Sequence, residues 1–142
     1  MEFNTLTPNL MVANVDASVA YYQQLLGAEQ VSSVPGPEGT GLQWAMVRIG
    51  KLELMFQTEK SLKEDVPAIP AAVKPGAANT IFIRMKGVEA LYKKARTQAT
   101  ILAHLETRFY GMKEFTMQDP DGYMFTFAEP VQATPPSSGQ VA

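Results

Sequence analysis

Apolar residues change their spacing along the chain, and each change marks an element. Leu6 to Val12 reads as a short strand. Asn14-Val15-Asp16-Ala17-Ser18 then offers capping side chains. Val15, Val19, Tyr22 and Leu26 recur at helical spacing up to Gly27, a residue suited to the left-handed position that stops a helix. A strand near Ala28 to Val34 runs into the breaker-rich loop Pro35-Gly36-Pro37-Glu38-Gly39. Leu42 to Ile49 and Lys51 to Gln57 form a hairpin about Gly50. In its second strand Leu52, Leu54 and Phe56 share one face, with Lys51, Glu53, Met55 and Gln57 on the other.

From Thr58 to Ala78 the pattern lapses. Ser61-Leu62-Lys63-Glu64 has capping-box form and predicts one short helix, after which Pro67, Pro70 and Pro75-Gly76 make a connector. The earlier order then returns. A strand from Asn79 to Met85 precedes a helix from Val88 to Gln98, with Val88, Leu91, Tyr92 and Ala95 as its apolar stripe. A strand from Thr100 to Leu105 follows. Last comes a hairpin, Phe115 to Gln118 and Tyr123 to Phe127, rich in aromatic and β-preferring residues. Its turn is Asp119-Pro120-Asp121-Gly122: proline fixes φ, Gly122 can take φ > 0, and the aspartates bond to nearby amides. The expected organisation is a module over 1–57, a connector over 58–78, a second module over 79–130 and a polar, mobile tail over 131–142.

The two modules keep step. Thr7 and Thr80 open corresponding strands, Asp16 and Glu89 the two helices, and Glu53 and Thr126 sit in corresponding last strands; each pair is 73 positions apart. A constant offset across strand, helix and strand argues for an internal β-α-β-β-β repeat.

Composition narrows the chemistry. The 142 residues are 46% apolar and 18% charged, enough for a sizeable core. A net charge of −2 with no basic cluster argues against nucleic acid, and no apolar run reaches the ~20 residues that span a bilayer. The start, MEFNTLTPN, lacks the basic and apolar parts of a signal peptide, so a cytoplasmic location is the expectation. There is no cysteine, which excludes thiol nucleophiles, disulfides and thiolate metal sites. The single histidine, His104, excludes any site needing two imidazoles from one chain. No Gly-rich phosphate loop or Ser-His-Asp arrangement stands out.

The opening PNLMVANVDASVAYYQQLLG and the closing YGMKEFTMQDPDGYMFTFAEP, joined to the duplicated unit, resemble the vicinal oxygen chelate superfamily of glyoxalases, bleomycin resistance proteins and extradiol dioxygenases. The resemblance covers nearly all of Thr7 to Glu129 and is nearest in character to the metal-free bleomycin resistance proteins. It implies an α+β fold in which two βαβββ modules form curved mixed sheets around a cavity, in a homodimer. It also implies four metal-ligand positions, which fall here at Thr7, Glu53, Thr80 and Thr126. A threonine hydroxyl is a weak neutral donor, so one carboxylate with three threonines offers little affinity for a transition metal. No cofactor is therefore expected, with a divalent metal as the alternative.

Strand alternation groups further residues with those positions: Met55 and Gln57 beside Glu53, Asn9 and Met11, Phe82 and Arg84, and Met124. Trp44, Met46 and Tyr110 are additional wall candidates, and His104 a candidate for the pocket rim. Methionine and aromatics with a few polar groups suit a small organic ligand, although the same side chains can simply fill a core. Glu53 has three readings: an ion pair with Arg84, Lys51 or Arg48; an acceptor for a cationic ligand; or a general base. The turn accounts for Asp119 and Asp121, and Lys93, Lys94 and Arg96 read as a solvated helix face. The expected function is a metal-free small-molecule binder that sequesters an antibiotic or toxin. The alternative is a glyoxalase-like lyase or isomerase, or a dioxygenase.

Overall fold

The computed structural model describes residues 1–76 and 78–131. The expected tail beyond Val131 and Ala77 of the connector lie outside the described residues. In chain order the elements are β1 (Asn9–Val12), α1 (Val15–Leu26), β2 (Glu29–Pro35), β3 (Leu42–Ile49), β4 (Leu52–Thr58) and α2 (Glu59–Asp65). Then follow β5 (Thr80–Arg84), α3 (Val88–Ala95), β6 (Thr100–Thr107), β7 (Met112–Gln118) and β8 (Met124–Pro130). The fold is α+β, built from two βαβββ modules that fall in separate units, Met1–Gly76 and Ala77–Ala142. Each unit holds a four-stranded mixed sheet, ordered β1-β4-β3-β2 and β5-β8-β7-β6. In both, the first strand runs parallel to the last, and the remaining pairs are antiparallel.

Local chemistry sets the boundaries. Asn14 accepts from the amide of Ala17 at 2.9 Å to start α1, and Gly27 ends it in the left-handed conformation at φ 66°. The cap of α2 is Thr58, which accepts from the Ser61 amide at 3.2 Å, so the helix starts one turn before the Ser61 box read from sequence. Gly87 has no capping side chain of its own. Glu129, reaching over from β8, accepts from the Gly87 and Val88 amides at 3.0 and 3.1 Å and caps α3. In the β7–β8 turn, Asp119 Oδ1 accepts from the amides of Asp121 and Tyr123, both at 2.9 Å, and Gly122 takes φ 95°.

β1 is shorter than its hydropathy predicts. It begins at Asn9, after Pro8, which has no amide hydrogen to donate; the Pro8 carbonyl still accepts from Met55 at 2.9 Å. Thr7 therefore precedes the strand. α3 likewise stops at Ala95, short of the expected Gln98.

Each helix covers one face of its own sheet. In the first unit Tyr22 of α1 stacks on Phe56 of β4 at 5.3 Å, among buried Val15, Val19, Leu25, Ala45, Val47 and Leu54. In the second, Tyr92 of α3 packs on Phe115 at 5.2 Å, and Phe115 on Phe127 at 5.4 Å, above buried Val88, Ala95, Met117 and Phe125.

The 73-residue offset does not survive in the parallel pairs. Asn9 stands opposite Met55, which would place Phe82 opposite Ala128; it lies instead opposite Thr126. The slip is two residues. Because side chains alternate with a period of two, every residue keeps its face although its partner changes.

Candidate functional site

Each sheet has a second face that α1 or α3 leaves bare, although Met11, Gln57, Glu114, Thr126 and Ala128 on it are buried, and most of the sequence-predicted residues lie there. In the first unit Glu53, Met55 and Gln57 of β4 stand opposite Arg48, Met46 and Trp44 of β3, while Asn9 and Met11 of β1 flank Met55 and Gln57. Phe56, on the opposite face, is the residue stacked under α1. The register settles the face of Trp44: it shares that of Gln57, away from α1. Trp44, Met46, Met55 and Glu53 are all half-buried. Asn9 donates to Gln57 at 2.8 Å, and Gln57 donates onward to Ser61 at 2.9 Å and Asp65 at 2.7 Å. That chain of bonds holds the start of β1 and the helix α2 against the end of β4.

Glu53 is neither buried nor unpaired. Arg48, directly across the hairpin, donates to it at 2.9 Å, and the two side chains are 50% and 34% exposed. An ion pair this open contributes ~0–1 kcal/mol. Arg48 is one of the three cations considered for Glu53.

In the second unit Thr80, Phe82 and Arg84 of β5 stand opposite Met124, Thr126 and Ala128 of β8, and on β7 Gln118, Thr116 and Glu114 continue the same rows. Lys113 bonds to Glu89 of α3 at 3.2 Å, which fixes Lys113, Phe115 and Met117 on the covered face and Glu114 and Thr116 on the bare one. The Thr116 and Thr126 hydroxyls are hydrogen-bonded to each other at 2.8 Å. Phe82 is exposed, Met124 half-buried and Thr126 buried.

His104 and Tyr110 occupy different settings. His104 lies on the covered side: its Nδ1 is 2.6 Å from the Tyr92 hydroxyl, on the ring that packs against Phe115. It therefore faces away from Thr126. Tyr110, in the β6–β7 turn, donates its hydroxyl to Glu114 Oε1. Arg108 Nε approaches that same oxygen at 3.4 Å, and its terminal nitrogen bonds to Glu106 at 2.5 Å. The Tyr110 phenol is held above its ordinary pKa range, first by this hydrogen bond to Glu114 and then by desolvation.

Glu114 is the residue that the sequence reading passed over. Its side chain is 8% exposed, and neither its Oε2 nor the neighbouring Arg108 Nε has a hydrogen-bond partner among the described residues. The signal was its position two residues before Thr116. Placing the start of β7 at Phe115 instead of Met112 hid it.

The donor set does not fit a divalent metal. The β1/β4 register, continued back two residues, sets Thr7 beside Glu53, whose carboxylate is already held by Arg48. Thr80 lies opposite Met124 rather than beside Thr126, and the Thr126 hydroxyl is shared with Thr116. Neutral hydroxyls and one neutralised carboxylate supply neither the charge nor the imidazole nitrogen that transition metals require. Among the described residues, no three His, Cys, Asp or Glu side chains are gathered to hold an ion.

Comparison with known proteins agrees with this architecture. The family described as Glyoxalase/Bleomycin resistance protein/Dioxygenase superfamily matches residues 3–127. An uncharacterized protein of Mycobacterium bovis is 27% identical over 135 residues, spanning 89% of this chain and 84% of its own length. A glyoxalase/bleomycin resistance protein/dioxygenase family enzyme from Burkholderia phytofirmans superposes with TM-score 0.73 at 18% identity, covering 88% of this chain and 97% of its own. TioX from a Micromonospora species superposes with TM-score 0.68 at 14% identity, covering 91% and 100%. At these identities the structural likenesses speak to the fold alone.

Proposed function

Since the chain belongs to the Glyoxalase/Bleomycin resistance protein/Dioxygenase superfamily, we propose that it acts as a metal-free binding protein for a small organic molecule, of the kind that sequesters an antibiotic or toxin. The observation that carries this reading is the state of Glu53. It is the one strong ligand among the four family metal positions, and Arg48 neutralises it at 2.9 Å. On the same face of the first unit, Trp44, Met46 and Met55 stand in the rows beside it. Thioether and aromatic surfaces adapt to an apolar guest. No helix among the described residues is long and apolar enough to cross a membrane. A homodimer is part of the proposal, and sedimentation velocity tests it.

The test of function combines binding with metal analysis. Trp44 is the one tryptophan in the chain, so its fluorescence reports on this face directly. Titration with a panel of antibiotics and aromatic toxins is expected to give saturable quenching at micromolar concentration or below, with no product formed. Glu53→Gln should bind as the parent does. A stoichiometric transition metal in the purified protein, or turnover that Glu53→Gln abolishes, would overturn the reading in favour of a lyase, isomerase or dioxygenase.

A further inference from the structure

We propose that a cavity between the β2–β3 loop and α2 binds a small zwitterion, a molecule of amino-acid size carrying one ammonium and one carboxylate. The cavity lies wholly within the first unit and has a volume of about 200 Å³. At ~30 Å³ per water that is room for roughly seven water-sized groups. Pro37 and Leu42 give it apolar wall, and Gln43, Lys60 and Glu64 are among the polar residues that line it.

The walls are braced, Thr40, Thr58 and Ser61 of the lining included, while three other polar side chains are not. On the loop side, the Gly36 amide donates to the Gly41 carbonyl at 2.7 Å and the Thr40 amide to Pro37 at 3.0 Å. Asp16 Oδ2 accepts from the Leu42 amide at 2.9 Å and ties the loop to the start of α1. The loop is also full: a Cβ at Gly36 would lie 2.8 Å from Thr40 Oγ1 and 2.9 Å from the Gly41 carbonyl. On the helix side, Thr58 caps α2, and Gln57 bonds to Ser61 and Asp65. The side chains of Gln43, Lys60 and Glu64 make no hydrogen bond or ion pair among the described residues. Walls fixed in advance lower the ordering cost of binding, and unengaged polar groups keep their capacity for a guest.

The two charge pairs of α2 sharpen this contrast. Glu59 and Lys63 stand in the order that favours a helix, acid before base at a spacing of four, and they are bonded at 3.1 Å. Lys60 and Glu64 have the same spacing in the reverse order, with the cation in the first turn and the anion in the last. Both charges oppose the helix macrodipole, so helix stability does not explain them. A zwitterion does: its carboxylate meets Lys60, its ammonium meets Glu64, and the Gln43 amide serves either end. A short aliphatic side chain would lie on Pro37 and Leu42.

Amide NMR of the ¹⁵N-labelled full chain tests this with three probes: L-valine, isobutylamine and isovalerate. L-valine is expected to produce saturable shifts in the Gln43 side-chain amide and the Ser61 backbone amide, with each half-probe binding at least tenfold more weakly. Lys60→Met and Glu64→Gln should each weaken L-valine binding tenfold or more while leaving the Tm of these surface variants nearly unchanged. Trp44, on the bare face of β3, should not respond, which separates this site from the larger ligand proposed above. The assignment is overturned by any of three results: no saturable shift up to 50 mM L-valine, a half-probe binding as well as L-valine, or variants binding like the parent.

Discussion

On the bare face of the first module the carboxylate at Glu53 is one-third exposed and clasped by Arg48; on that of the second, the matching position is Thr126, and an acid stands one strand over at Glu114, 8% exposed. The same βαβββ plan thus carries its negative charge in two physically different ways. Near water, Glu53 is screened and its partner adds little. Glu114 relies on the Tyr110 hydroxyl and a long approach from Arg108, with one oxygen left without a donor. A buried acceptor in that state costs ~1–3 kcal/mol, a cost that the Glu53 carboxylate does not bear. The helices differ in a parallel way: α1 is capped from within its own sequence by Asn14, whereas α3 depends on Glu129 from β8.

Truncation should separate the two carboxylates most strongly. Glu114→Ala empties a buried site and strands the Tyr110 hydroxyl and Arg108, and should cost ~2–4 kcal/mol in urea denaturation. Glu53→Ala should cost ~0–1 kcal/mol. Equal losses would mean that the two carboxylates are held alike. Capping gives a smaller contrast. Glu129→Ala removes the acceptor of two amides and should cost ~1–2 kcal/mol, against ~1 kcal/mol for Asn14→Ala. Hydrogen exchange at Gly87 and Val88 would localise the first of these losses. Smaller again is the alkaline limit set by Tyr110. Its pKa is raised in the folded state, so its contribution is complete below about pH 10, the value for a free phenol, and is lost as pH rises through the folded value. Tyr110→Phe should flatten that loss in a pH series of thermal melts.

Much of the architecture could be read from the letters because local chemistry determined it. The helix stop at Gly27, the turn at Gly50 and the Asp119-Pro120-Asp121-Gly122 turn each depend on residues within four positions of one another. Strand parity was legible for the same reason: a two-residue slip left Thr80, Phe82 and Thr126 on their expected face even as it changed their neighbours. Contacts that join distant segments were not legible. Nothing in the sequence states that Glu129 caps a helix 41 residues earlier, or that His104 turns toward Tyr92 instead of the bare face. Irregular pairing between β6 and β7, at Ile101 to Ala103 and again at Ala103 to Glu106, interrupts simple alternation near His104. The pairing of Glu53 with Arg48 was set by hairpin register, a fact of the sheet.

The smallest expected effect tests α2 and its connector. Glu59 is held below the usual carboxylate pKa, first by its hydrogen bond from Lys74 and then by that from Lys63, each at 3.1 Å. A pKa depressed by folding contributes stability that is present above the unfolded value, near pH 4.5, and is lost as pH falls through the folded one. Lys74 is 65% exposed, so salt should screen its share, and Lys74→Met should shift the acid limb of the melting curve only slightly. Lys63 is different. It also donates to the carbonyls of Ala71 and Val73 at 3.1 and 3.0 Å, pinning the connector to the helix. Lys63→Met should therefore speed proteolysis between Pro70 and Pro75 while Lys74→Met leaves it unchanged. If both variants were cleaved at the parental rate, the connector would owe its position to something other than this ammonium group.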